Sequence, residues 1–107
     1  MTGLDELHRQ YRQSLTTKRD DLRRAWDRLC DEEATPAHVA QLHLLLHRLA
    51  GSAGTYGYAD IATRAKAVEQ GWTEWMAQAP EVRPQPYRVC AAQAALMAGL
   101  LDAMQVQ

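Results

Sequence analysis

Thr35-Pro36-Ala37-His38-Val39-Ala40-Gln41-Leu42-His43-Leu44-Leu45-Leu46-His47-Arg48-Leu49-Ala50-Gly51-Ser52-Ala53-Gly54 carries a helix start, a core stripe and a helix end in one stretch. Threonine ahead of proline is a start signal. Thr35 as N-cap offers a hydroxyl to an unpaired N–H, and Pro36 suits the first helical position because its missing N–H has no partner there anyway. Val39, Leu42, Leu46, Leu49 and Ala53 recur at spacings of three and four, so at about 100° per residue they fall on one face. Gly54 to Gly57 follows as a tight connection. The pattern predicts a helix from Pro36 to about Gly54.

The same period runs outward in both directions. Leu4, Leu7, Tyr11, Leu15, Lys18, Leu22, Ala25 and Leu29 form one stripe, with Trp26 beside it. A helix over residues 4 to 31 would be roughly 42 Å long at about 1.5 Å per residue. It is expected either to run long and overhang its neighbours or to break near Thr16-Thr17, where Thr17 and Asp20 have the spacing of an internal cap. Asp31-Glu32-Glu33-Ala34 reads as a short polar connection. Downstream, a third helix begins near Tyr58 with Asp60 in its positive first turn. Its stripe is Ile61, Ala65, Val68, Trp72 and Met76, with Trp75 beside it. Residues 79 to 86 hold three prolines and read as a loop. A last helix is expected from about Pro86 to Met104, on Cys90, Ala94, Met97, Leu101 and Met104. No period-two run suggests a strand. The expectation is an all-α, antiparallel four-helix bundle forming one domain over residues 1–107.

Bulk properties narrow the function classes. A net charge of −1, from 12 basic and 13 acidic residues, argues against a nucleic-acid binder. A basic run remains over residues 8 to 28, where Arg9, Arg12, Lys18, Arg19, Arg23, Arg24 and Arg28 outnumber Asp20, Asp21 and Asp27. It suits a solvated helix face or an acidic partner. No apolar stretch approaches the roughly 20 residues needed to span a bilayer, so no membrane partner is expected. Met1 to Glu6 lacks the basic and apolar regions of a signal peptide, which makes the cytoplasm the expected compartment. Cys30 and Cys90 form no spaced motif and read as buried thiols. His8 and His38 suggest no role.

His47 stands out on the second helix. It lies roughly 120° from the centre of the core stripe, at the edge of the solvent face. Ala40, His43, Gly51 and Gly54 fall within about 40° of it, and Leu44 points nearly opposite the core. Arg48 is about 100° from His47, further round the exposed surface. Small residues leave one edge of the imidazole uncovered, as a nucleophile or a metal ligand requires. Glycine inside a helix is destabilising, so Gly51 asks for a reason. Either another molecule approaches closely there, or two helices do.

These residues resemble the histidine-containing phosphotransfer (HPt) domain. That family shows a histidine, any residue, an aliphatic residue, lysine, glycine, small residues and a second glycine ten positions after the histidine. The matching residues are His47, Leu49, Gly51, Ser52, Ala53 and Gly57. Ala53-Gly54-Thr55-Tyr56-Gly57-Tyr58 is most similar to the run found in the amino-terminal HPt domain of chemotaxis-type histidine kinases. There a glutamate twenty-two positions after the histidine hydrogen-bonds the ring, and Glu69 has that place here. The motif covers residues 47 to 69, and the helical pattern extends the likeness to the rest. One residue departs: the family lysine three positions after the histidine is Ala50. Lys66, one turn before Glu69, is the candidate phosphate clamp in its place, with Arg48 as second candidate.

The resemblance implies a covalent phosphocarrier without its own ATP site, not an enzyme. Glu69 would hold Nδ1–H of His47, which fixes the tautomer and leaves the Nε2 lone pair outward. Nε2 would take phosphate from a receiver-domain aspartate or from a histidine kinase, and pass it on. Mg²⁺ would come from the partner, so no cofactor is expected, and the carrier would be a monomer. Ala40, His43, Leu44, Arg48, Gly51 and Gly54 are the expected partner-binding residues. The runner-up is an HPt-like interaction module that binds a receiver or kinase but accepts phosphate poorly. His43 and His47, spaced like zinc ligands on one helical face, form a further alternative, although a third ligand is missing from the run, and a structural bundle with an ordinary surface histidine is another.

Overall fold

A computed structural model describes residues 3–105. The chain runs through α1 (Gly3–Leu29), α2 (Pro36–Thr55), α3 (Ala59–Ala77), a short 3-10 turn at Pro80–Val82 and α4 (Pro86–Ala103). No strand occurs among the described residues. Consecutive helices pack on one another and α4 returns to α1, which closes a four-helix bundle of the expected up-and-down kind.

α1 is long and unbroken. It passes through Thr16 and Thr17 without a cap or kink, so the break anticipated there does not form. Both threonines face solvent, and the flanking Leu15 and Leu22 are fully covered. With the apolar stripe uninterrupted, the local cap has nothing to gain. The first turns overhang instead: Leu4 and Leu7, expected in the core stripe, are 62% and 48% exposed. Packing begins at Tyr11, which stacks on Tyr56 at 4.4 Å and shares a 2.8 Å hydrogen bond with Ser52. Burial pushes the Tyr11 phenol above its usual range.

α2 starts as its sequence dictates. The Thr35 side chain accepts from the His38 N–H, and His38 Nδ1 accepts from the Thr35 N–H at 3.1 Å. His38 therefore closes a capping box, a task normally given to glutamate or glutamine. α2 ends at Thr55, and Gly57 just beyond it has a left-handed φ of 85°, while the Tyr58 N–H reaches back to the Ala53 carbonyl at 2.8 Å. Only glycine adopts that conformation without strain. The turn sets α3 directly against α2, and this pairing positions the site.

The core is built largely from the expected stripes, with two exchanges. Trp75, expected beside the α3 stripe, is 5% exposed, and Met76 lies at the margin. Trp75 Nε1 donates to the Pro84 carbonyl at 2.8 Å, and the Arg83 guanidinium covers the ring at 4.7 Å. The proline loop thus folds over the indole and satisfies its one polar atom. On α4, Ala94 faces outward and Gln93 is buried, donating Nε2–H to the Val68 carbonyl at 3.1 Å. Gly71 makes room for it: a Cβ there would lie 2.0 Å from Gln93 Nε2. On α1, Lys18 is half-buried and lies 5.2 Å over the Tyr11 ring. Cys30 is exposed, contrary to expectation, because α1 stops at Leu29 and Cys30 sits in the following turn. Cys90 is buried, and that burial, with Cys30 beside it, pushes its thiol well above the usual range.

Candidate functional site

His47 stands on the solvent side of α2 with 72% of its side chain exposed. Its Nδ1 lies 2.9 Å from Glu69 Oε2 on α3. Glu69 is only 16% exposed, so the carboxylate is held in the α2–α3 seam. A carboxylate only accepts, so in the neutral imidazole this contact puts the proton on Nδ1 and leaves Nε2 with its lone pair. Nε2 has no hydrogen-bond partner among the described residues.

The ring borders a hollow of ≈ 370 Å³, lined by His47, Ala50, Gly51, Lys66, Glu69, Gln70 and Thr73. Lys66 is exposed and makes no ion pair among the described residues. Arg48, the second candidate cation, borders a different hollow between α1 and α2, with Lys18, Asp21, Leu22, Leu45 and Leu49. Sequence spacing alone left these two cations open; the tertiary fold brings only Lys66 to the hollow beside His47. Ala50 is 5% exposed, so the position of the family lysine is occupied by a small, packed side chain at the edge of that hollow.

The remaining residues of the predicted face divide. Ala40, Gly51 and Gly54 are exposed, as is Arg48. Leu44 is 45% exposed. A Cβ added to Gly51 would meet nothing within 4 Å, which removes close helix packing as the reason for this glycine. At Gly54 a Cβ would meet only Ala62 Cβ, at an ordinary 3.9 Å. His43 behaves differently: its ring turns into the seam, 26% exposed, with Nε2 2.9 Å from Thr73 Oγ1 and 3.6 Å from Glu69 Oε2. Thr73 and Gln70 were not anticipated from the sequence. Their places one turn beyond Glu69 and Lys66 on α3 were the available signal. No group of three or more His, Cys, Asp or Glu side chains among the described residues forms a metal-binding cluster.

A third hollow, of ≈ 250 Å³, lies between α1 and α4, with Arg19, Arg23 and Trp26 on one wall and Met97 and Leu101 on the other. It contains no part of the His47 constellation. Arg19 crosses it to donate Nε–H to the Leu101 carbonyl at 2.9 Å, serving the C-terminal end of α4 as cations do. Within the basic run, Arg9 and Arg24 pair with Glu6 and Asp21 on their own helix.

A helical bundle that presents one exposed imidazole, its inner nitrogen tied to a sheltered carboxylate, is the architecture of a histidine-based carrier domain. The family model described as Hpt domain matches residues 6–106, nearly the whole chain, and the chain belongs to that family. Hpt domains take part in histidine phosphotransfer in two-component signalling; they are phosphocarriers, without an ATP site of their own, that interact with receiver domains and kinases. No curated protein and no solved structure matches the chain. No helix among the described residues is long and apolar enough to cross a membrane.

Proposed function

We propose that this chain is a monomeric, cytoplasmic phosphocarrier of a bacterial phosphorelay, a single domain over residues 1–107 with His47 as its phospho-accepting residue. The observation that carries this reading is the 2.9 Å contact between Nδ1 of a 72% exposed His47 and the sheltered Glu69 carboxylate. Nε2 attacks phosphorus in line, the P–O bond to the donor breaks, and the donor carboxylate or nucleotide leaves with that electron pair. The ring gains positive charge as the N–P bond forms, since Nδ1 keeps its proton. Glu69 offsets that charge, as a buried aspartate does for an imidazolium in a catalytic triad. Lys66 faces the transferred group across the hollow, and the receiver supplies Mg²⁺.

Leu44, Ala40, Gly51, Gly54 and Arg48 form the docking face around the nucleophile. Gly51 supports this role because its missing side chain serves no contact within the chain. Transient encounters of this kind need only a small interface. The likeness of residues 53 to 58 to chemotaxis-type kinases makes the amino-terminal domain of such a kinase the preferred subclass.

Incubation with a phosphorylated receiver or an autophosphorylating histidine kinase should place acid-labile, alkali-stable phosphate on this chain. His47→Gln should take none. Full labelling of His47→Gln would overturn the assignment. A wild-type chain that binds the receiver but takes no phosphate would favour an interaction module, for which Ala50 at the lysine position is the specific warrant.

A further inference from the structure

The Thr73 hydroxyl sets the direction of the hydrogen bonds around Glu69. Thr73 Oγ1 lies 3.1 Å from the Glu69 backbone carbonyl. A carbonyl cannot donate, so the single hydroxyl proton of Thr73 points to it. The hydroxyl oxygen must then accept from its other neighbour, His43 Nε2, at 2.9 Å. His43 therefore carries a proton on Nε2, and that nitrogen lies 3.6 Å from Glu69 Oε2, beyond hydrogen-bond reach. The same oxygen accepts from His47 Nδ1–H at 2.9 Å. Two histidines one helical turn apart thus hold opposite tautomers: His47 donates to the carboxylate oxygen, and His43 donates to Thr73 while its ring stands beside that same oxygen.

From this geometry we infer that His43 and Thr73 are positioning residues for the His47 nucleophile. This inference rests on the phosphocarrier reading above and reassigns His43 from the docking face to the seam. Thr73 fixes the edge of the His43 ring. His43, held by Thr73, forms one wall of the carboxylate and confines Oε2 within reach of His47 Nδ1. A Glu69 side chain without that wall has more rotamers open to it, and ordering it costs entropy. Each freed rotamer takes the acceptor away from Nδ1, and His47 then loses the tautomer that leaves Nε2 unprotonated.

The test uses the full chain with ¹⁵N-labelled histidine, reading each ring's tautomer by long-range ¹H–¹⁵N correlation alongside the rate of phosphate transfer from a phosphorylated receiver. The wild type should show His47 protonated on Nδ1 and His43 on Nε2. His43→Leu should shift His47 toward the Nε2–H form and slow transfer by about three- to tenfold, less than loss of a direct partner costs. His43→Gln, which keeps an N–H at similar reach, should restore both readouts to within about twofold. Thr73→Val should reproduce His43→Leu, and the double variant should be no slower than either, as for members of one network. Thr73→Val also keeps the test open should His43→Leu fail to fold. The inference is overturned if His43 proves protonated on Nδ1, or if the folded variants keep the wild-type His47 tautomer and rate. The phosphocarrier reading fails separately, through a wild type that takes no phosphate on His47. The tautomers still decide the roles of His43 and Thr73 in that event.

Discussion

The α2–α3 face around His47 and the α3–α4 seam behind it each place a glycine inside a helix, and the two glycines answer different needs. At Gly71 the neighbour is already present: Gln93 fills the space a Cβ would take and bonds the Val68 carbonyl. At Gly51 the space is empty to 4 Å. Both positions bear the helical penalty of glycine, about 1 kcal/mol against alanine. One offsets it inside the molecule, by letting a buried amide reach an acceptor. The other has no internal return, and it adjoins His47, whose Nε2 is open. Polar groups follow the same division. Gln93 is buried to hold two helices together, whereas His47, Glu69 and Lys66 line a hollow open to a visitor.

Substitutions on the two sides should therefore separate chemistry from stability. The largest effect is expected at His47: His47→Gln should abolish labelling while shifting unfolding free energy by no more than about 0.5 kcal/mol, as for an exposed side chain. A large loss of stability in denaturant titration would mean that His47 supports the fold. Next comes Glu69→Ala, which should slow transfer by about 10–100-fold, the usual cost of losing a residue that orients a reactive histidine. Stopped-flow transfer at matched receiver concentration measures it, and an unchanged rate removes Glu69 from the mechanism.

Gly71→Ala tests the opposite region. Displacing Gln93 should cost about 1–3 kcal/mol for a stranded buried group, offset by about 1 kcal/mol of helix propensity. The net loss should appear in thermal or urea unfolding, with transfer by the folded protein unchanged. Adding Gln93→Ala should recover part of it, because the two changes share one contact. Lys66→Ala should slow transfer by a smaller factor, about two- to fivefold, as expected for one solvent-exposed cation. No change would leave Ala50 uncompensated from α3. The smallest effect belongs to Gly51→Ala: a gain of up to about 1 kcal/mol in stability, with weaker receiver binding by titration. Lower stability there would erase the contrast with Gly71.

Much of the bundle was legible along the chain because each helix carries its own local signals. Thr35-Pro36 and the α2 stripe specify a start and a buried face with no reference to the rest of the protein. The errors fall where a partner element decides. Ala94 has the right spacing for the α4 core, but Gly71 on α3 opens a seat for Gln93 instead. Trp75 sits off the α3 stripe, and the proline loop closes over it. Leu4 and Leu7 continue the α1 stripe past the turn where α2 ends and α3 begins, so no surface is left to cover them. Thr16-Thr17 offered a local cap that tertiary burial of Leu15 and Leu22 overrode.

The site divides in the same way. His47 on an exposed helical edge, the glycines beside it and a glutamate at the matching distance follow from period and spacing, which one helix and one family pattern set. Which cation shares the hollow, what Gly51 does not touch and where His43 turns depend on how α2 and α3 approach each other. The amino-acid sequence by itself determined four amphipathic helices and the identity of the candidate nucleophile. Only the tertiary structure decided the proton positions and neighbours that let it act, since those arise between side chains on different helices, joined by packing and not by helical period.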